Sequence, residues 1–132
     1  IGGGAIGVEL GIHLNGLGHE CTIVEMAENL ASRTELTERT AYMIHLDKNK
    51  VKTMVNTTCA EITDSGVRGK NAGGEQFLDA DTVIIAAGTR ALEKERDQFT
   101  DAAFDVISVG DCVKASSIVH AVHSGFDAGL TL

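Results

Sequence analysis

Six residues near the start of the chain constrain its fold more than any others. Gly2-Gly3-Gly4-Ala5-Ile6-Gly7 sets glycine in the pattern Gly-x-Gly-x-x-Gly, directly ahead of an apolar helical period. Each glycine has a mechanical use. Gly2 permits a tight turn out of a strand, Gly4 lets the backbone approach a pyrophosphate, and Gly7 lets a helix pack close to a sheet. A helix starting at Ala5 would present unpaired N–H groups and the positive end of its dipole to phosphate. The amides of Ala5 and Ile6 are therefore the expected pyrophosphate donors. This is the pattern of a dinucleotide-binding turn; the competing account is a glycine turn with a structural purpose only.

The rest of the chain alternates strand and helix signals. Residues 5–17 read as a helix with an apolar stripe of Ile6, Leu10, Leu14 and Leu17, closed by Gly18. Residues 21–24 form a short β-prone run ending at Glu25. Ser32 and Glu35 have capping-box spacing ahead of a second helix over 35–48, with Leu36, Met43, Ile44 and Leu46 as its apolar positions. Residues 52–63 look like strand. Asp64-Ser65-Gly66 and Asn71-Ala72-Gly73-Gly74 are turn signals, so 67–70 and 75–79 complete an antiparallel meander. Residues 81–86 read as a buried parallel strand ending in Ala87-Gly88, and 90–102 as a polar surface connection. Residues 104–109 read as one more buried strand, ending in Gly110-Asp111. Ser116 or Ser117 then caps a last helix with Ile118, Val122, Phe126 and Leu130 spaced four apart. The expected fold is α/β: a mostly parallel sheet with helices on both faces and an antiparallel meander as one crossover.

Two acids extend the glycine turn. Glu25 ends the second strand, 18 residues after Gly7, where a carboxylate can accept hydrogen bonds from an adenosine ribose. That placement favours NAD over NADP, because a 2′-phosphate would meet a like charge; Arg33 lies nearby in sequence, and a solvated acid is the alternative. Glu9, in the first turns of the helix, either complements the dipole or lies near the nicotinamide ribose. Net charge is −8, from 11 Lys+Arg and 19 Asp+Glu, which repels phosphate backbones and excludes nucleic acid as the expected partner. No apolar run reaches the ~20 residues of a membrane span. Three scattered cysteines, Cys21, Cys59 and Cys112, make no CxxC pair and fit a reducing, cytoplasmic setting. His120 and His123 could share a helix face with Cys112 near a metal, but frequent helical histidines are the plainer account.

Taken together, these motifs resemble a known family. Gly2-Gly3-Gly4-Ala5-Ile6-Gly7-Val8-Glu9-Leu10-Gly11 resembles the NAD-binding domain of flavoprotein reductases with two dinucleotide-binding domains. Residues 81–89 resemble that domain's closing strand and its Ala-x-Gly loop, with Gly88 beside the cofactor. Ile107-Ser108-Val109-Gly110-Asp111-Cys112 resembles the second FAD motif, in which Gly110 and Asp111 would face the flavin's ribityl-pyrophosphate region. The segments 110–114 and 118–126 are similar to NADH:flavin oxidoreductases of the 2,4-dienoyl-CoA reductase, enoate reductase and trimethylamine dehydrogenase type. The resemblance implies a Rossmann-like NAD(H)-binding domain over 1–92, a connection over 93–103 and a C-terminal FAD-domain segment over 104–132. It also implies hydride transfer from NADH to FAD, with FMN and an iron–sulfur cluster possible in a part absent from this chain. Thr89-Arg90-Ala91 and Val113-Lys114-Ala115 depart from the family in lacking prolines. Two other functions stand beside this one: a nucleotide-binding module without activity, and a fragment of a pyridine nucleotide-disulfide reductase.

The chain opens on Ile1 rather than Met, and the strand that should precede Gly2 is reduced to that residue. The expectation is an excised piece of a longer oxidoreductase, inactive by itself. A sheet short of its central strand leaves two half-edges. Residues 105–109 would then fill the vacated position or pair with another copy, giving a rearranged or self-associated form with poor nucleotide affinity.

Overall fold

The computed structural model describes residues 1–103 and 105–131. It divides into two compact units, Ile1–Gly88 and Thr89–Leu132. The elements of the first are α1 (Ala5–Gly16), β1 (Thr22–Val24), α2 (Leu36–Lys48), β2 (Lys52–Met54), β3 (Thr58–Thr63), β4 (Gly66–Asn71) and β5 (Gly74–Asp79). The second holds α3 (Glu93–Asp97), a 3-10 turn (Gly110–Cys112) and α4 (Ile118–Gly129). No described helix is long and apolar enough to cross a membrane.

The fold is α/β. β1 and β2 pair in parallel, Thr22 opposite Lys52 and Val24 opposite Met54. Ile1 and Gly2 extend this sheet on the other side of β1. The Gly2 N–H donates to the Val24 carbonyl at 2.8 Å. The Ile1 ammonium donates to the Ile84 carbonyl at 2.7 Å, and the Ala86 N–H donates to the Ile1 carbonyl at 2.7 Å. One residue bonded to both neighbours of its partner is the signature of a parallel ladder. The spatial order is therefore 84–86, then 1–2, then β1, then β2. Two expectations are corrected here. Residues 81–86 form no strand of their own and are not buried, with Ile84 40% and Ile85 67% exposed: the ladder seen there is two hydrogen bonds long, both to Ile1. The position between β1 and 84–86 is occupied by Ile1 and Gly2, not by residues 105–109.

The core of this unit is Val8, Ile23, Leu30, Ala31, Leu46 and Val51, with Ile12, Tyr42 and Met43 among the side chains packed against it. α1 turns Val8 and Gly11 inward. A Cβ on Gly11 would sit 2.9 Å from the Ile23 Cδ1, so the missing side chain is what lets α1 lie against β1. The expected stripe does not face the core: Ile6 and Leu17 are each 65% exposed. α1 is apolar on several sides, and close approach at Gly7 and Gly11 decides which side is covered. On α2, Leu46 is buried and Met43 packs against the core, whereas Leu36 and Ile44 are exposed.

α2 forms where expected, but Glu35 caps it and Ser32 does not. Ala31 has a positive φ of 48° and its carbonyl accepts the Thr34 N–H at 3.0 Å, so the chain is still turning at Ser32. The Glu35 carboxylate accepts the N–H groups of Thr37 at 2.8 Å and Glu38 at 3.4 Å. These bonds, that to Thr37 foremost, hold the Glu35 carboxyl below its ordinary range. The stretch 52–63 is not one strand. Asn56 has a φ of 50°, and the N–H groups of Asn56 and Thr57 donate to the Ala27 and Glu25 carbonyls, so the chain leaves the β1–β2 sheet there. β3, β4 and β5 then form the antiparallel meander, Ile62 opposite Val67 and Val67 opposite Leu78.

In the second unit, the expected connection over 90–102 contains the short helix α3. The expected strand over 104–109 is not formed at 105–109: these residues are irregular, with Val106 41% and Ile107 47% exposed, and among the described residues of their unit no strand lies beside them. Its first residue, Phe104, lies outside the described residues, as does Leu132 at the end of the expected FAD-domain segment. Ser117 caps α4, its hydroxyl oxygen accepting the His120 N–H at 3.2 Å. The row Ile118, Val122, Phe126 and Leu130 is exposed.

Candidate nucleotide site

The glycine turn is built from β1 outward. Glu25 follows β1 directly, and its carboxylate grips the turn: Oε2 accepts the Gly3 N–H at 2.6 Å and Oε1 accepts the Ala27 N–H at 2.7 Å. The Gly3 carbonyl in turn accepts the Ala31 N–H at 2.7 Å. The turn is thereby tied on both sides to the chain that leaves β1, and Glu25 stands beside the start of α1. Each Glu25 oxygen keeps a further lone pair for a ligand hydroxyl.

The glycines fall into two kinds. Gly2 has φ +100°, and a Cβ there would lie 2.4 Å from the Ala86 carbonyl oxygen. A Cβ on Gly7 would lie 1.9 Å from the Gly2 carbonyl oxygen, and one on Gly3 would lie 2.3 Å from the Leu30 Cδ2. Gly2 and Gly7 stand against backbone and are required by the fold, whereas Gly3 meets the end of a side chain. Gly4 is not required by it. It is the N-cap of α1, with φ −68° and ψ −178°, a conformation open to any residue, and a Cβ there would meet nothing within 4 Å. Lacking a side chain, it leaves the first-turn N–H groups of α1 uncapped, Ala5 and Ile6 included. The first turn carries no acidic residue. Open space over uncapped helical N–H groups is what a pyrophosphate needs, so the residues present fit a dinucleotide.

Glu9 is exposed on the second turn of α1 and is not free. The Tyr42 hydroxyl contacts the Glu9 Oε1, and it also lies 2.7 Å from the Glu38 Oε1. The bonds to Glu9 first and Glu38 second hold the Tyr42 phenol above its ordinary range. Neither Tyr42 nor Glu38 was marked by the sequence. Their i, i+4 spacing makes them neighbours on α2, but the approach of α1 is tertiary.

Gly88 is exposed with φ +95° and no neighbour where a Cβ would stand. In the second unit, Gly110 is buried with φ +67°, and its N–H donates to the Ser124 Oγ at 2.9 Å, tying the 3-10 turn to α4. Asp111 is exposed; its Oδ1 accepts the Ser116 N–H at 3.2 Å, and it lines an open cleft of about 480 Å³ with Arg90, Phe99, Ser108 and Cys112. Among the described residues, no group of three or more His, Cys, Asp and Glu side chains is placed to hold a metal ion.

Comparison with known proteins places the chain. The bilirubin reductase of Mediterraneibacter gnavus (strain CC55_001C) is 32% identical over 133 residues, covering 100% of this chain and 21% of the relative. The NADH oxidase of Thermoanaerobacter brockii is 32% identical over 128 residues, covering 96% of this chain and 20% of the relative. A solved 2-naphthoyl-CoA reductase superposes with a TM-score of 0.85 at 28% identity, over 99% of this chain and 20% of that one. The chain thus spans about a fifth of the length of these relatives. The family model described as pyridine nucleotide-disulphide oxidoreductase matches residues 1–106. The chain belongs to the pyridine nucleotide-disulphide oxidoreductase family, flavoprotein oxidoreductases whose cofactors are NAD(H) and FAD.

Proposed function

We propose that this chain is the NADH-binding part of a flavoprotein oxidoreductase in which NADH passes hydride to bound FAD. The observation that carries the proposal is Gly4: an N-cap glycine with ordinary backbone angles and open space above uncapped N–H groups. In this account, Ala5 and Ile6 amides hold the pyrophosphate, Gly2 and Gly7 set the turn, Glu25 receives the adenosine ribose, Glu9 faces the nicotinamide-side ribose, and Gly88 lines the cofactor loop. Gly110 and Asp111 belong to the FAD side, where the free oxygen of Asp111 is available to a hydroxyl. Residues 1–92 form the NAD(H)-binding domain, 93–103 a connection and 104–132 the FAD-domain segment. The nicotinamide and flavin supply the redox chemistry, and this chain's residues bind and orient them without serving as acid or base. The finer kinship proposed is with NADH:flavin oxidoreductases of the enoate reductase type, and the isolated chain is inactive.

Cofactor choice is the test. The Glu25 carboxylate already holds two backbone N–H groups, and in this account it faces the position of a 2′-phosphate. NADH is expected to bind at least tenfold more tightly than NADPH, a difference of about 1.4 kcal/mol. Calorimetric titration of both against the chain decides it, and equal or tighter binding of NADPH overturns the assignment of Glu25.

A further inference from the structure

The Tyr42 hydroxyl carries one proton and stands between two carboxylates from two helices, Glu9 on α1 and Glu38 on α2. A phenol can donate to one of them at a time, and its oxygen can accept from a donor on the other side. An exposed glutamate with three free torsions samples many rotamers, and holding it in one costs side-chain entropy. Glu9 avoids that cost at the moment of ligand binding if it is already held. Tyr42 is suited to hold it: it packs, partly buried, against the core of the first unit, so the hydroxyl is carried on a fixed support. One oxygen of Glu9 engages Tyr42, which leaves the other for a ligand hydroxyl. Glu38 sits four residues before Tyr42 on the same face of α2, and competes for the same proton.

We propose that Tyr42 is a positioning residue, which fixes the Glu9 carboxylate for the nicotinamide-side ribose of the bound nucleotide, with Glu38 as the competing acceptor that tunes the grip. This rests on the assignment of Glu9 made above. A ribose hydroxyl that donates to the other oxygen of Glu9 leaves the Tyr42 bond to Oε1 in place, so no proton is gained or lost. Glu38→Gln removes the competing charge and supplies an amide donor to the Tyr42 oxygen, which commits the phenolic proton to Glu9.

ADP and ADP-ribose differ by the second ribose, so calorimetry with both ligands isolates it. The full chain and its Tyr42→Phe, Glu9→Gln and Glu38→Gln variants are titrated with each. The expected result is unchanged ADP binding throughout, ADP-ribose binding weakened about three- to tenfold in Tyr42→Phe and Glu9→Gln, and ADP-ribose binding undiminished in Glu38→Gln. Loss of ADP-ribose binding in Glu9→Gln with none in Tyr42→Phe overturns the positioning role while leaving Glu9 as a ligand. Equal loss of both ligands in Tyr42→Phe shows a structural role and also overturns it. Wild-type chain that binds neither ligand refutes the nucleotide site itself, and the positioning role falls with it. Tyr42 is the sole tyrosine in a chain without tryptophan, so tyrosinate absorbance reads this phenol alone. Wild type should ionise at higher pH than Glu9→Gln; coincident titrations would show that the contact is not made in solution.

Discussion

Alanine at each of the three fingerprint glycines separates what the fold needs from what the ligand needs. At Gly7 the new Cβ would stand 1.9 Å from the Gly2 carbonyl oxygen, against a floor of 3.0 Å for real contacts, so the backbone must part by 1.1 Å. Forcing a packed helix off its sheet by that distance costs about 1–3 kcal/mol or more. For a unit of this size that lowers Tm by roughly 4–20 °C. Gly2→Ala meets a comparable clash at 2.4 Å and adds a φ of +100°, a strain of about 1–3 kcal/mol. At Gly4 the backbone angles suit alanine and nothing lies within 4 Å. The reduced entropy of the unfolded chain then favours alanine, the N-cap preference opposes it, and the net change stays within about 0.5 kcal/mol. Gly4→Val should fold as well, yet it fills the space over the Ala5 and Ile6 amides. NADH affinity is expected to fall at least tenfold in Gly4→Val. Thermal melts and NADH titrations of the same variants read both quantities. A Gly4→Ala melt as low as that of Gly7→Ala, or wild-type NADH binding by Gly4→Val, would refute the division.

Two further predictions concern the scaffold. The bonds from Thr37 and Glu38 hold the Glu35 carboxyl below its ordinary range, so its cap stabilises α2 above that range and the contribution is lost as pH falls through the depressed value. Melts of wild type and Glu35→Ala should differ at pH 6 and draw together as pH falls below the ordinary carboxylate range; a gap that does not shrink in acid contradicts the capping role. Val8 has no exposed surface, so Val8→Ala should destabilise the first unit by about 2 kcal/mol from lost burial and the cavity left behind; a denaturant midpoint equal to wild type would place α1 differently.

Local signals carried the sequence analysis furthest. The turns at Ser65-Gly66 and Gly73-Gly74 need glycine at positive φ, and the meander follows from them. α1 and α2 appear where the apolar period and the flanking turn residues put them. Choices among similar local options were not legible. Ile6 and Val8 are both apolar on α1, and the face that is covered was set by how closely Gly7 and Gly11 let the sheet approach. Ser32 has the better capping chemistry, but the chain is still turning after the left-handed Ala31, and the cap falls to Glu35. The apolar runs 81–86 and 105–109 have the composition of buried strands, yet a strand needs a partner along its length. The first is held by two bonds to Ile1, and among the described residues of its unit no strand lies beside the second. The place of Glu25 directly after β1 was legible, because a strand end fixes it. Tyr42 was not, because its meeting with Glu9 spans 33 residues of chain.

The central claim is that a dinucleotide lies on the N-terminus of α1 beside Glu25. A ¹H–¹⁵N NMR titration of the chain with NADH tests it residue by residue. The account predicts the largest amide shifts over residues 3–7 and 25–27, with saturation at a single affinity and smaller shifts under NADPH. Shifts confined to residues 89–131, or amides at 3–7 that do not move at saturating NADH, would contradict it.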